Sequence, residues 1–393
     1  MKPKKLFAAL LSVTCALPLA GCTAFTRIDI SHYENAKGSL INPDASAEAA
    51  YLMQYLKGIY GKQILSGQYI NEYEDYDQPK FRQDENNPDS VPTVFKANEL
   101  QAVHTVTGKY PALLGLDISG VECGNACFSA RQAIEWHNAG GIVTICWHWL
   151  IDNQDGQPRA FYTDQTDFSL SAALADPNGA LYQGLIADID AVSEELKMLR
   201  DAHVPVLWRP LHEASGGWFW WGADGADCYR QLWNILYDRM TNYHGLNNLI
   251  WVYNGQDPNW YVGDDKCDMI GDDPYYPNNS RTAYQRDPAN SKRFKSTYRA
   301  SASKMIAMTE NDFVPSPDAM FDKGTKWLTF CTWCREFVCA QQPTTDGSTV
   351  YAPEYGSPYT TAEELRSVYQ DSRVITLDTL ADRGYQPQQD GQN

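Results

Sequence analysis

Residues 204–213, Val-Pro-Val-Leu-Trp-Arg-Pro-Leu-His-Glu, decide how this chain is read. A short, near-continuously apolar run gives way abruptly to arginine, histidine and glutamate. Such a run suits a strand buried on both faces, and polar residues at its C-terminal end suit the mouth of a parallel barrel. Seven comparable runs lie at 63–69 (QILSGQY), 110–119 (YPALLGLDIS), 141–149 (GIVTICWHW), 249–254 (LIWVYN), 267–271 (CDMIG), 304–310 (KMIAMTE) and 326–333 (KWLTFCTW). Helical patterns separate them. The clearest covers 183–202, where Leu185, Ile189, Val192, Leu196 and Leu199 fall on one face at spacings of four, three, four and three. Further helices are expected at 46–59, 129–139, 227–243, 291–303 and 361–371. Gly140-Gly141 just before Ile142 is the expected helix stop ahead of a strand. Eight strands between Gln63 and Trp333 come to about 34 residues each, the length of a βα unit. The expected fold is therefore α/β, a single (β/α)8 TIM barrel over residues 46–383. A doubly wound open sheet would carry a glycine-rich phosphate loop after its first strand, whereas Gly67-Gln68-Tyr69 leads into acidic residues.

The long connections, 70–100, 150–182, 272–290 and 334–360, all follow strand C-termini, the end of a barrel that carries chemistry. They are rich in Tyr, Asp and Asn, which suits a polar groove with aromatic platforms. Two carboxylates occupy matching places: Glu213 after the fourth strand and Glu310 at the end of the seventh. Those strands lie on opposite sides of a small barrel, so the two groups can face each other across its mouth. Cleavage of a glycosidic bond with retention needs such a pair, one ionised and one holding a proton, about 5–5.5 Å apart. A metal-dependent barrel hydrolase would want a His-x-His on its first strand, and the seven histidines include no such pair.

Composition narrows the partners. The 393 residues carry 32 Lys and Arg against 49 Asp and Glu, a formal net charge of −17. That leaves no electrostatic reason to bind nucleic acid or an anionic bilayer surface. Twelve Trp, 24 Tyr and 13 Phe are enough to furnish both a core and sugar-stacking platforms. At the N-terminus, Lys2, Lys4 and Lys5 precede a mostly apolar Leu6–Leu19 and then Leu19-Ala20-Gly21-Cys22. This segment resembles a bacterial lipoprotein leader, with residues 1–21 a signal peptide and Cys22 the lipidated residue. The expected location is outside the cytoplasm, anchored to a bacterial membrane (the outer one in a Gram-negative host). Residues 22–45 then read as a tether or a wrap, and 384–393 as a flexible tail. Ten cysteines occur. With Cys15 removed and Cys22 lipidated, eight remain for an oxidising compartment. Cys123 and Cys127 could staple a short loop, and Cys331, Cys334 and Cys339 cluster; the connectivity stays open.

Taken together, the stretch Trp208 to Gly222 (WRPLHEASGGWFWWG) and the matching strand ends make residues 50–375 resemble glycoside hydrolase family 26, a mostly β-mannanase family of the retaining (β/α)8 clan. The resemblance implies that Glu213, in its His-Glu pair, is the acid/base and that Glu310 is the nucleophile. His212 before the acid/base favours this family over clan relatives that carry Asn there. Cys146-Trp147-His148-Trp149 resembles the family's Ser-Trp-His end of strand three, and Gly271-Asp272-Asp273-Pro274-Tyr275 its Gly-x-Asp-x-Tyr end of strand six. Tyr275 would orient the nucleophile, and Trp333 resembles the tryptophan that floors the subsite of the cleaved sugar. The implied substrate-binding set is His148, Arg209, His212, Trp218, Tyr275 and Trp333, with Trp147, Asp117 and Asp273 beside them. Cys146 for Ser, and Ala214-Ser215 where Met-Asn is frequent, depart from the family pattern.

The implied function is retaining hydrolysis of β-1,4-mannosidic linkages in mannan, galactomannan or mannooligosaccharides, by a monomer with no cofactor and no metal. A lipid anchor hints at exo action that trims oligosaccharides. The alternatives are a xylanase or mixed-linkage glucanase of the same family, or a non-catalytic glycan-binding lipoprotein, which would be free to lose one of the two glutamates.

Overall fold

The computed structural model describes residues 31–71, 94–124, 128–153, 156–345 and 348–387. The leader, Cys22, Cys127 and most of the 70–100 connection lie outside the described residues. Seven parallel strands run in sequence order: β1 (Gly67–Tyr69), β2 (Leu113–Asp117), β3 (Ile142–Cys146), β4 (Val206–Arg209), β5 (Leu249–Tyr253), β6 (Met269–Asp272) and β7 (Ile306–Met308). Residues 328–333 supply the eighth position, although too irregularly to form a regular strand. Leu65 and Tyr69 donate backbone hydrogen bonds to Leu328 and Thr332 on one side, while Met308 donates to Thr329 and Trp333 to Asn311 on the other. This stretch joins the first strand to the seventh and closes the barrel.

Side chains alternate across each strand, and the alternation separates packing from chemistry. On β4, Leu207 faces the barrel interior with Val252, Met269 and Ala307; Trp208 faces the helices; Arg209 faces inward again. The helix expected at 183–202 spans Ala180–Asp201, and all five residues of its apolar face are buried. Those expected at 46–59, 129–139 and 361–371 appear as Ala47–Ile59, Ser129–Asn138 and Ala362–Gln370. The 227–243 segment is α-helical over Gly225–Tyr237 and turns π-helical to Tyr243. The helix expected at 291–303 stops at Tyr298. Asn98–Thr107 is a helix that the sequence reading left inside a long connection. Within 334–360, Cys339–Pro343 and Thr349–Tyr355 pair as an antiparallel hairpin.

Of the two alternatives for the N-terminal segment, residues 31–45 form the wrap, because buried His32 and Tyr33 pin them to the base of the barrel. His32 Nδ1 bonds the Ala302 carbonyl at 2.9 Å and Nε2 bonds the Tyr60 hydroxyl at 2.9 Å, while Tyr33 donates to the Gly324 carbonyl at 2.8 Å. At the other end Tyr385 is buried, stacked on Tyr51 at 5.7 Å and packed on Tyr55, so the expected tail is ordered at least through residue 387. None of the seven described cysteines is joined to another. Cys146, Cys267, Cys331, Cys334 and Cys339 are buried and act as small apolar side chains. No helix among the described residues is long and apolar enough to cross a membrane.

Candidate active site

The strand C-termini open into one cleft of about 500 Å³, and Glu213 and Glu310 both line it. Beneath them lies a charged layer that the sequence supplies as one inward residue per strand end. Arg209, wholly buried, donates from Nη2 to Glu310 Oε2 at 2.8 Å and to the Tyr69 hydroxyl at 3.0 Å, and from Nη1 to Asp273 Oδ2. Tyr69 can reach that guanidinium because β2 carries Gly115 beside it; a Cβ there would come within 2.5 Å of the Tyr69 ring. Asp273 also accepts from Thr309 Oγ1 at 2.6 Å, and Thr309 accepts from Asn254 Nδ2 at 2.8 Å. A buried guanidinium serving two carboxylates is a charge-assisted arrangement that is costly to break from either side.

The two glutamates have different company. Glu310 is buried, and its second oxygen accepts from the Tyr275 hydroxyl at 2.7 Å. Burial, and then the Glu310 charge, push the Tyr275 phenol well above its ordinary range, so it remains a donor. Glu213 receives only neutral donors, Trp218 Nε1 at 3.0 Å and Gln256 Nε2 at 3.0 Å. Burial first, and then the charges of Asp273 and Glu310, hold its carboxyl well above the usual range, against the pull of Arg209 and the Trp218 hydrogen bond. One carboxyl is thus set up to hold a proton and to face a carboxylate held by a cation and a phenol.

The rest of the cleft wall comes from the ends of strands three, four, six and eight. His148, His212, Trp218, Tyr275 and Trp333 line the cleft as expected. His148 Nδ1 bonds Asp117 Oδ2 at 2.6 Å and its Nε2 meets His212 Nε2 at 3.2 Å. Burial, and then the Arg209 charge, depress the His212 pKa strongly and keep that ring neutral. Burial opposes the Asp117 charge, but His148 and Ser119 outweigh it and hold the carboxyl below its ordinary range.

Other expectations are corrected. Trp147 is not a cleft residue. It alternates outward between Cys146 and His148, stacks on Trp149 at 4.1 Å and lies 1% exposed among the helices. Arg209 and Asp273 have no exposed side-chain surface and are engaged beneath the cleft, Arg209 with both Glu310 and Asp273, while Asp273 also borders the cleft. Asp117 stands behind His148. It forms, with Cys146 and His148, a group whose potential metal-binding atoms lie within 4.8 Å of one another. There the Asp117–His148 pair already shares a proton, and burial keeps the Cys146 thiol protonated. Sequence reasoning missed Tyr69, Tyr162, Phe219, Gln256 and Thr309. Gln256 was findable, since it follows the fifth strand by the same rule that singled out Glu213. Tyr162 was not, because it arrives through an isolated antiparallel bridge to Phe219 that joins the loops after β3 and β4.

Known proteins agree with this geometry. The family model described as Glycosyl hydrolase family 26 matches residues 41–355. The mannan endo-1,4-beta-mannosidase of Thermothelomyces thermophilus is 40% identical over 87% of this chain and 63% of its own length. Mannan endo-1,4-beta-mannosidase B of Piromyces sp is 35% identical over 87% and 53%. The chain thus spans about half to two thirds of the curated relatives it matches. Among solved structures, a Podospora anserina GH26-CBM35 β-(1,4)-mannanase aligns with a TM-score of 0.69 and 35% identity, covering 89% of this chain and 70% of that one. A β-mannanase from a symbiotic protist of the termite Reticulitermes speratus, solved with a gluco-manno-oligosaccharide, aligns at 0.66 and 31% identity, covering 88% and 98%. With the match running through every strand that carries a cleft residue, the chain belongs to glycosyl hydrolase family 26.

Proposed function

We propose that this protein hydrolyses β-1,4-mannosidic linkages by double displacement, with Glu310 as nucleophile and Glu213 as acid/base. The observation that carries the reading is the unlike pair in one cleft: a carboxylate held by Arg209 and Tyr275 opposite a carboxyl raised by burial. In the first step Glu310 attacks the anomeric carbon, the bond from that carbon to the glycosidic oxygen breaks, and the Glu213 proton passes to the leaving oxygen. In the second step water attacks the same carbon, Glu213 takes the water proton, and the Glu310 ester is released. Trp333 and Trp218 offer ring faces to the sugars, and His148 and His212 offer polar edges.

The test incubates the protein with β-mannan, xylan and mixed-linkage glucan beside its Glu213→Ala and Glu310→Ala variants, following product size and, by NMR, the anomer formed first. The expected result is mannan cleavage with retention, lost in both variants. Inverted product would remove the double displacement, and cleavage of xylan or glucan alone would replace the substrate. The named relatives are endo-enzymes, and internal cleavage giving a ladder of products is the reading adopted. A single short product from the start would restore the exo action suggested by a lipid anchor. The anchor itself is proposed from Cys22 and is tested by incorporation of labelled fatty acid, which Cys22→Ala should abolish.

A further inference from the structure

Gln256 stands where its backbone is least comfortable. Its φ of 65° is a left-handed conformation that glycine and asparagine enter readily and a long side chain does not. Glu213, across from it, is also left-handed, with φ 54°. The two turns are laced together: the Glu213 amide donates to the Asn254 carbonyl at 2.7 Å and the Ser215 amide to the Gly255 carbonyl at 3.3 Å. The strained turn after β5 therefore brings one side chain to the Glu213 carboxyl, and Gln256 Nε2 donates to its Oε1 at 3.0 Å. Local strain of this kind is kept where the surroundings enforce it, and functional sites are where it gathers.

The chemistry of the two Glu213 partners differs. Trp218 Nε1 on Oε2 can only donate, so it suits an ionised carboxylate and offers nothing to a carboxyl O–H. Gln256 sits on the other oxygen. Its NH2 donates to Oε1 of the carboxylate, and equally to Oε1 as the carbonyl oxygen of a carboxyl whose proton is on Oε2. An acid/base must hold a proton in one half of its cycle and lose it in the other, and that proton must sit on the oxygen that faces the leaving group.

Resting on the assignment of Glu213 as acid/base, we propose that Gln256 is a positioning residue that serves both protonation states of Glu213. Its NH2 holds Oε1 in both states, as an oxygen of the carboxylate and as the carbonyl oxygen of the carboxyl, so that the proton resides on Oε2 and is free to pass to the glycosidic oxygen. It thereby keeps the carboxyl aimed at the glycosidic oxygen through proton loss and gain.

The test uses Gln256→Asn and Gln256→Gly in the full chain. Both suit the left-handed backbone, so thermal stability is expected to hold or rise. Asparagine keeps the amide but falls one methylene short of Glu213. Each variant is assayed on a mannoside with a poor, sugar leaving group and on one with an activated aryl leaving group that needs no protonation. The expected result is a loss in kcat/KM of about ten-fold or more on the sugar leaving group, with little loss on the aryl one. On the aryl substrate, slowed turnover of the glycosyl-enzyme should be restored by azide, which attacks without a general base. Equal losses on both substrates, or none on either, would overturn the proposal, since a purely structural role makes no distinction between leaving groups. Glu213→Ala run in parallel separates the two failures. If it too shows no dependence on leaving group, the acid/base assignment has failed; if it shows one and the Gln256 variants do not, only the role of Gln256 has.

Discussion

Glu310 and Glu213 are the same side chain in two surroundings, and what differs is the charge of their nearest donors. Glu310 is served by a buried guanidinium and a phenol. Glu213 is served by an indole and an amide, both neutral, and looks across at two acids. Burial and the charges of Asp273 and Glu310 push the Glu213 carboxyl toward its protonated form, whereas one oxygen of Glu310 is held by the Arg209 guanidinium. The difference therefore resides in a wholly buried residue.

The most direct way to break the comparison is to remove each glutamate. Glu310→Ala is expected to lower kcat/KM by on the order of 10⁴–10⁶ whatever the leaving group, because no other group can form the ester. Glu213→Ala is expected to cost about 10²–10⁴ on mannan and far less on an activated aryl mannoside. Similar losses on both substrates for both variants would erase the distinction between them.

Arg209→Met attacks its cause. It leaves Asp273 and Glu310 buried without their cation, and the expected destabilisation is about 3–5 kcal/mol by denaturant unfolding at pH 7. The loss should shrink in acid, where the carboxyls can take up protons. An unchanged midpoint at pH 7 would show that water or another donor replaces the guanidinium.

Tyr275→Phe is a finer probe, since it removes only the phenol on Glu310. The expected cost is about 1.5–3 kcal/mol in kcat/KM with stability nearly unchanged, read from steady-state kinetics and thermal melts.

The smallest effect sharpens the comparison outside the cleft. Glu122 is buried, accepts from the Leu150 amide at 2.8 Å, and is pushed up to about 7, chiefly by burial. It has neutral donors, like Glu213, but no place in the cleft. Its folded pKa lies above its unfolded one, so its ionisation costs stability as pH rises from about 4.5 to about 7. Glu122→Gln should raise stability by about 1–2 kcal/mol at pH 8, do nothing at pH 4 and leave activity intact. Equal effects at the two pH values would mean that the carboxyl is not titrating in that window.

The strands were legible because a parallel barrel buries both faces of each, and eight apolar runs ending in polar residues say so without help from periodicity. The eighth was legible as a run but not as an irregular one, since Thr329 and Thr332 bond to both neighbours without regular geometry. Glu213 and Glu310 were readable from position, each just past a strand end, while His148 and Tyr275 were legible only through the family resemblance. The error over Trp147 has a simple origin: proximity to His148 was taken as membership of the cleft, while the two-residue period of a strand sends neighbours to opposite faces. Arg209 was legible as a site residue at a strand end, but sequence shows that a residue lies at the mouth and not how deep its charge sits. The Asn98–Thr107 helix was hidden by its setting inside a long polar connection, although its apolar face is buried.

The wrap at residues 31–45 fixes where a leash can be tied. Ser31 leaves the described chain at the foot of the barrel, beside the turns that precede β1 and β7, while the cleft opens at the opposite rim. An anchor of the kind proposed at Cys22 would join the barrel at this foot, on the side away from the cleft. A polymer many times longer than the barrel is wide could then be drawn across the lip from either side without fouling the mooring.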